Sequence, residues 1–384
     1  MGLMSLVLCD DEKIVRVLRR VLNDLEIGIE HCTDPDGAVH KLTRQRFEAV
    51  IIDCTDLKTA TSVLKSARSA PCNKRAVAVA IMDGHNGLRS AFDMGAHFVL
   101  YKPVSMERAK ASFRAARALM KRERRRNARV AVQVAVTLHN DRTGFLQKMG
   151  TTDISEGGMA VQFGKRQKDP GPWQLRFSLP GSDKEIEVKG EAAWQNPGGQ
   201  VGIRFANLQV DLSHELRTWL NQQSPENEKD DPPVRCKLTD LSLGGCYLEI
   251  ASPFPPQTRI VLSMRAGKHE LRVEGVVLVM HPEVGMGVQF VQTTVEQRNH
   301  VEKFIHKLMD AGDLLPELLV EPEGLETVNS GGLESSLKPS ELEDPLLELF
   351  QRKASLPAEL FLSELRKQRR THRSDPAEET VLPD

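Results

Sequence analysis

Residues 123–160 read ERRRNARVAVQVAVTLHNDRTGFLQKMGTTDISEGGMA, and how this stretch is interpreted decides the fold. It opens in a run of arginines, with Arg125 and Arg129 four positions apart, and passes through a β-rich run at 131–138. It ends in the turn Asp153-Ile154-Ser155-Glu156-Gly157-Gly158. Further short β-rich runs follow at 158–163, 174–178, 185–194 and 200–205, separated by turn-rich pieces such as Asn196-Pro197-Gly198-Gly199. Short strands at regular spacing predict a barrel or sandwich. A helical pattern at 212–221 closes the unit.

A lone D-x-S-x-x-G is an ordinary Asx/Ser turn between strands. Paired arginines change its meaning, because each guanidinium donates two parallel hydrogen bonds that suit phosphate oxygens or a guanine edge. Together the two features resemble the ligand signature of PilZ domains, small antiparallel β-barrels that bind the bacterial second messenger cyclic di-GMP. For residues 121–222 the resemblance implies that Arg125 and Arg129, helped by Arg124 or Arg126, contact phosphates and guanines. It implies that Asp153 accepts from guanine N–H groups, that Ser155 offers a hydroxyl, and that Gly158 lets ligand approach the backbone. The arginine arm is expected to be loose without ligand and clamped with it.

The chain then repeats itself. Residues 239–245, TDLSLGG, copy residues 152–158, TDISEGG, at an offset of 239 − 152 = 87. Later landmarks keep an offset of 85: Gly190 with Gly275, Gly202 with Gly287, Phe205 with Phe290 and Trp219 with Phe304. A sustained offset marks a duplication, so after a linker at 223–231 a second PilZ-like unit is expected at 232–310. It is degenerate. An acidic, Pro-containing piece at 225–233 replaces the arginine arm, and the counterpart of the 131–138 strand is missing. A barrel lacking a strand exposes an edge, which predicts packing on the first unit or self-association. Asp240, Ser242 and Gly245 read as structural.

Upstream, residues 1–120 alternate apolar runs at 5–9, 49–52, 76–82 and 98–100 with helical periodicity. Strands apolar on both faces predict a parallel sheet covered on both sides, with its site at the carboxyl ends of the strands. Asp10 and Asp11 follow the first run, Asp53 ends another, and Lys102 follows the last. Converging carboxylates suit Mg²⁺. The pattern resembles the receiver domain of response regulators. The resemblance implies Asp10, Asp11 and Asp53 as Mg²⁺ ligands, Asp53 as phosphoacceptor, Lys102 as phosphoryl contact and a histidine kinase as partner. The switch positions depart from the family: Ala80, or with a short gap Asp83, stands where a Ser or Thr is expected, and Val99 where an aromatic is expected. A receiver kept as a dimerisation or docking module is the competing reading.

Residues 105–129 read as one amphipathic helix whose basic face is expected to be solvated. The tail, 311–384, is acidic and Pro-interrupted, which predicts a largely disordered segment with short amphipathic helices that docks on a downstream partner. A net charge of −1 argues against a general polyanion binder, and six cysteines without a C-x-x-C pair read as reduced thiols. Apolar runs fall short of the roughly 20 residues that span a bilayer. A cytoplasmic location without membrane insertion or nucleic acid is expected. No nucleophile–base pair or glycine-rich phosphate loop is evident, so the expectation is not an enzyme. It is a multidomain effector (α/β doubly wound receiver, two β-barrels, tail) that binds cyclic di-GMP, possible as a homodimer. The alternative is a ligand-independent protein-interaction scaffold.

Overall fold

The computed structural model describes residues 2–84, 87–126, 128–140, 143–163, 171–182, 184–206, 210–223, 231–292, 294–310, 316–325, 344–353 and 358–373. These fall into two compact units, with the boundaries inside a helix at 123/124 and after residue 230.

The larger unit starts with five strands, β1 (Leu3–Leu8), β2 (Ile27–Cys32), β3 (Ala49–Asp53), β4 (Val77–Met82) and β5 (Phe98–Tyr101). They form a parallel sheet in the order β2-β1-β3-β4-β5. The connecting helices are α1 (Glu12–Asp24), α2 (Pro35–Arg44), α3 (Leu57–Ser69) and α4 (Leu88–Asp93), with α5 (Met106–Arg126) after the last strand. Asp11, Asp34 and Asp56 cap α1, α2 and α3 through their carboxylates, which fixes where each strand end turns into helix. Residues of α1 and α5 pack on one face of the sheet, and those of α2, α3 and α4 on the other. This is the doubly wound receiver-type fold expected from the sequence.

One polar support in this core titrates. His97 Nδ1 accepts from the Ala78 N–H at 2.9 Å, beside Arg68, which donates to the carbonyl oxygens of Ala76 and Gly95. Burial, and after it the Arg68 cation, push the His97 imidazole from its usual 6.5 down to about 3. The unfolded chain therefore takes up a proton that the fold refuses. The stability tied to His97 is whole above about pH 6.5 and is lost as pH falls toward about 3. His97 keeps some exposure, so about 1 kcal/mol between pH 7 and 5 is expected rather than the ~2 of a fully buried ring. Urea midpoints at the two pH values should fall less for His97→Asn than for wild type; equal falls would refute the assignment.

The smaller unit is a closed antiparallel barrel of β6 (Ala135–Asn140), β7 (Phe145–Ser155), β8 (Gly158–Gln162), β9 (Trp173–Ser178), β10 (Glu185–Gln195) and β11 (Gln200–Ala206). Its core includes Val136, Leu138, Ile154, Met159, Trp173, Leu175 and Ile203. Helix α6 (Val210–Gln223) adds Leu216, Trp219 and Leu220 to that core. Strand β7 was not anticipated; its first half is exposed on both faces and carries no alternation.

The second barrel belongs to the larger unit. It contains β12 (Val234–Leu241), β13 (Gly245–Glu249), β14 (Thr258–Ala266), β15 (His269–His281), β16 (Gly285–Phe290) and, after α7 (Val295–Asp310), β17 (Glu317–Leu325). It too is closed, in the order β12-β13-β16-β15-β14-β17. In the first barrel β6 lies between β7 and β9; in the second, β17 lies antiparallel between β12 and β14. The strand missing ahead of the repeat is thus supplied from behind it. The open edge expected to drive self-association is covered within the chain, and the unit runs past residue 310 to Leu325.

Two more expectations change here. The basic face of α5 is not simply solvated. Arg117 and Lys121 both reach Asp231, at 2.6 and 2.9 Å, and Arg108 lies 3.3 Å from Glu283. Arg122 donates to the Glu323 carbonyl oxygen, and the Glu123 carboxylate accepts from Leu325 N–H, so the end of β17 is pinned to α5. The second change is in the tail, where α8 (Pro345–Lys353) and α9 (Ala358–Arg373) bury Phe350, Phe361 and Leu365 in one cluster with Tyr247 and Val279 of the second barrel. No helix among the described residues is long and apolar enough to cross a membrane.

Candidate functional site

In the first barrel a row of paired residues crosses four neighbouring strands: Asp153 opposite Ala160, Ala160 opposite Gly202, and Gly202 opposite Trp194. Their chain neighbours Ile154, Met159, Val161, Val201 and Ile203 belong to the core, so the row lies on the outer side of the wall, with Ala160 and Gly202 themselves covered there. β-Bulges precede Asp153 and Trp194 at its two ends and re-aim those side chains. Gly202 is required, because a Cβ there would lie 2.1 Å from Trp194 Nε1. The indole therefore lies across β11, 40% exposed.

Arg129 closes this trough. Val130 and Ile154 exchange backbone hydrogen bonds at 2.8 and 2.9 Å, which tacks the chain beside β7. The Arg129 guanidinium donates to Asp153 Oδ1 at 2.6 Å and stands 5.9 Å from the centre of the Trp194 ring. The bridge and the ion pair place Arg129 beside β7, over the row. The ion pair is exposed, so opening it costs at most about 1 kcal/mol. Thr152 and Gln200 border the row, with Gln200 Nε2 donating to Thr152 Oγ1 at 2.8 Å.

The other anticipated residues divide. Arg125 is half-buried near the end of α5, and the side chain of Arg126 lies outside the described residues. Ser155 is buried, its hydroxyl donating to the Gly158 carbonyl oxygen at 3.0 Å, so it holds the turn rather than facing the trough. At Gly158 a Cβ would sit 2.1 Å from the Ile203 carbonyl oxygen, so the missing side chain permits a close approach between strands. Trp194 was not singled out from the sequence. Its signal was a lone tryptophan on a half-exposed strand, and its partners come from other strands.

In the receiver-type domain, Asp53 Oδ1 lies 2.8 Å from Lys102 Nζ, and Asp83 Oδ1 lies 3.4 Å from the same amine. Thr55, also not anticipated, joins the pair: its hydroxyl donates to Asp53 Oδ1 at 2.9 Å and accepts from Lys102 at 2.9 Å. Burial raises the Asp53 carboxyl, but hydrogen bonds from Lys102 and Thr55 outweigh it, leaving the group below the usual carboxylate range. Burial and the Asp53 charge push the neighbouring Cys9 thiol up to about 12, so it is protonated and inert. Ala80 lies buried inside β4, while Asp83 occupies the strand end.

The three carboxylates expected to hold Mg²⁺ do not form a cage. Asp11 Oδ1 accepts from Lys13 N–H and Ile14 N–H at the start of α1. Among the described residues no group of three His, Cys, Asp or Glu side chains is placed to hold a metal ion.

Residues 123–222 and 223–307 each match the model of the PilZ domain. The two barrels are thus similar to PilZ domains, the second without the arginine arm, and they follow a domain with a doubly wound α/β fold. The second match stops short of β17, so the strand that closes that barrel lies outside the family pattern. Among solved structures, the chemotaxis response regulator CheY4 of Vibrio cholerae is 19% identical, over 30% of this chain and 99% of that one, with a TM-score of 0.28. A Pseudomonas aeruginosa sensor histidine kinase receiver domain is 20% identical over 32% and 99%, TM-score 0.27. The PilZ domain of CeSA from a cellulose-synthesizing bacterium is 17% identical over 25% and 95%, TM-score 0.20. No curated protein matches the chain.

Proposed function

We propose that this protein is a signalling effector that binds cyclic di-GMP on the first barrel and passes the signal to a protein partner, without catalysing a reaction. The observation that supports this most is the Asp153–Ala160–Gly202–Trp194 row with Arg129 above it. Small residues leave a flat floor. Trp194 offers a face on which a guanine stacks, Asp153 accepts from the guanine Watson–Crick edge, and Arg129 serves phosphate or the guanine O6/N7 edge. Arg125 and Arg126 stand upstream as further phosphate contacts. Calorimetric titration of cyclic di-GMP into the full chain should give heat that persists in Asp240→Ala. Absence of heat with wild type sinks the reading, and loss in Asp240→Ala assigns the ligand to the other barrel.

The receiver-type domain supplies the input in this reading. An ionised Asp53 oxygen attacks the phosphorus of a phosphodonor. The new O–P bond forms as the donor's bond breaks, and the leaving group keeps the electron pair. Lys102 neutralises the added charge, and Thr55 places a hydroxyl beside the acceptor oxygen. Acetyl phosphate with Mg²⁺ in the buffer should add one phosphoryl group by intact-mass measurement, and none in Asp53→Asn. Equal labelling of the variant would move the site elsewhere.

A further inference from the structure

The outward row of the first barrel has an equivalent in the second. Asp240 pairs with Tyr247, Tyr247 with Gly287, and Gly287 with Val279, again with bulges before the residues at the two ends. Tyr247 thus stands where Ala160 stands in the first copy, and Val279 where Trp194 stands. The match extends to the backbone: Phe205 N–H donates to the Gly157 carbonyl oxygen in one barrel, and Phe290 N–H to that of Gly244 in the other.

The two faces differ in what covers them. A Cβ added at Gly157 would meet nothing within 4 Å, whereas one at Gly244 would lie 2.5 Å from Leu347 and 2.7 Å from Asp344. One at Gly287 would lie 2.8 Å from the Phe350 ring. Phe361 lies 5.3 Å from Tyr247 and 4.5 Å from His281, ring centre to ring centre. The Asp344 carboxylate works in two directions: Oδ1 accepts from Leu346 N–H and Leu347 N–H, capping α8, and Oδ2 accepts from Gly244 N–H. A helix start and the barrel turn are thereby joined through one side chain.

We propose that the second barrel has turned the outer row, which in the first barrel lies under Trp194 and Arg129 beside an open turn, into a helix-binding face, and that residues 344–373 of this chain are its tethered ligand. Recognition rests on an acidic cap followed by apolar residues at helical spacing, Asp344, Leu346, Leu347 and Phe350, read by the Gly244 N–H and by Tyr247, Gly287 and Val279. Phe361 and Leu365 of α9 complete the buried contact. The site is one for an amphipathic helix, and it does not depend on which ligand the first barrel takes.

The test cuts the tether in the full chain. A specific protease sequence inserted between 330 and 340 is cleaved under native conditions, and the products are run on a sizing column. The fragment carrying 344–384 should stay with the remainder in wild type and separate in Phe350→Asp and in Gly244→Val. The three atoms nearest a Cβ at Gly244 belong to Asp344 and Leu347, and circular dichroism of the uncut chain checks that the barrel stays folded. Release of the wild-type fragment, or its retention in either variant, overturns the proposal.

Discussion

Arg129→Ala should bind cyclic di-GMP about 100-fold more weakly than wild type, a loss of about 2.7 kcal/mol, while melting within a degree or two of it. The two parts of this expectation come from the same geometry. In the free protein Arg129 and Asp153 form an exposed pair, with side chains 43% and 22% accessible. Such pairs contribute little to stability, so Asp153 left alone is solvated by water. In the proposed complex the same guanidinium would meet a ligand with two phosphates and two guanines against a shielding indole, where charge-assisted hydrogen bonds are worth more. Arg176, paired with Glu187 on the same barrel at 3.1 Å, is the control, and Arg176→Ala should bind as wild type does. Calorimetry on the three proteins decides it. An Arg129→Ala affinity within threefold of wild type would remove Arg129 from the site.

Val320→Asp should unfold the second barrel. Val320 is fully buried in the middle of β17, opposite Val234 on one side and Leu262 on the other. A carboxylate there has no water and no partner, and costs of this kind exceed about 4 kcal/mol. Losing β17 also frees two strand edges and the contacts with Arg122 and Glu123 on α5, so the damage should reach the receiver-type domain as faster proteolysis. The first barrel has its own core and is a separate compact unit, so ligand binding there should persist. The exposed neighbour Glu321→Lys is the control. Limited proteolysis that leaves residues 231–325 as resistant in Val320→Asp as in wild type would contradict the role given to this strand.

Much of this architecture is legible in the sequence, for local reasons. Runs such as Ala49–Asp53, ending in a carboxylate, carry their strand character and their place in the sheet within a few residues. The duplication is visible because TDISEGG and TDLSLGG hold tight inter-strand contacts that only glycine permits, at Gly158 against Ile203 and at Gly245 against Val288. What escaped depends on partners far along the chain. The sequence of β17, ELLVEPEGL, reads as acidic tail; Pro322 lies beyond the last pair with β12, where the ladder with β14 shifts register at Arg259/Ile260. Trp194 gained meaning only when pairing set it beside Gly202 and in line with Ala160 and Asp153. Ser155 and Gly158 lie within a recognisable motif, yet their side chain and missing side chain serve the turn and the strand contact. Motif membership located the neighbourhood of the site without separating the residues that face outward from those that hold the floor.

The late origin of β17 also sets a timetable. The first barrel has its β6–β7 hairpin and all six strands in hand once residue 206 has left the ribosome, and can close as synthesis continues. The second must wait: Val234 finds its ladder partner only when Val320 appears, 320 − 234 = 86 residues later. At about 5–20 residues per second, β12 and β14 stand with bare edges for several seconds in every round of translation. For that interval the nascent chain is a sheet seeking a strand, and a second chain on the same messenger, slightly ahead, carries one.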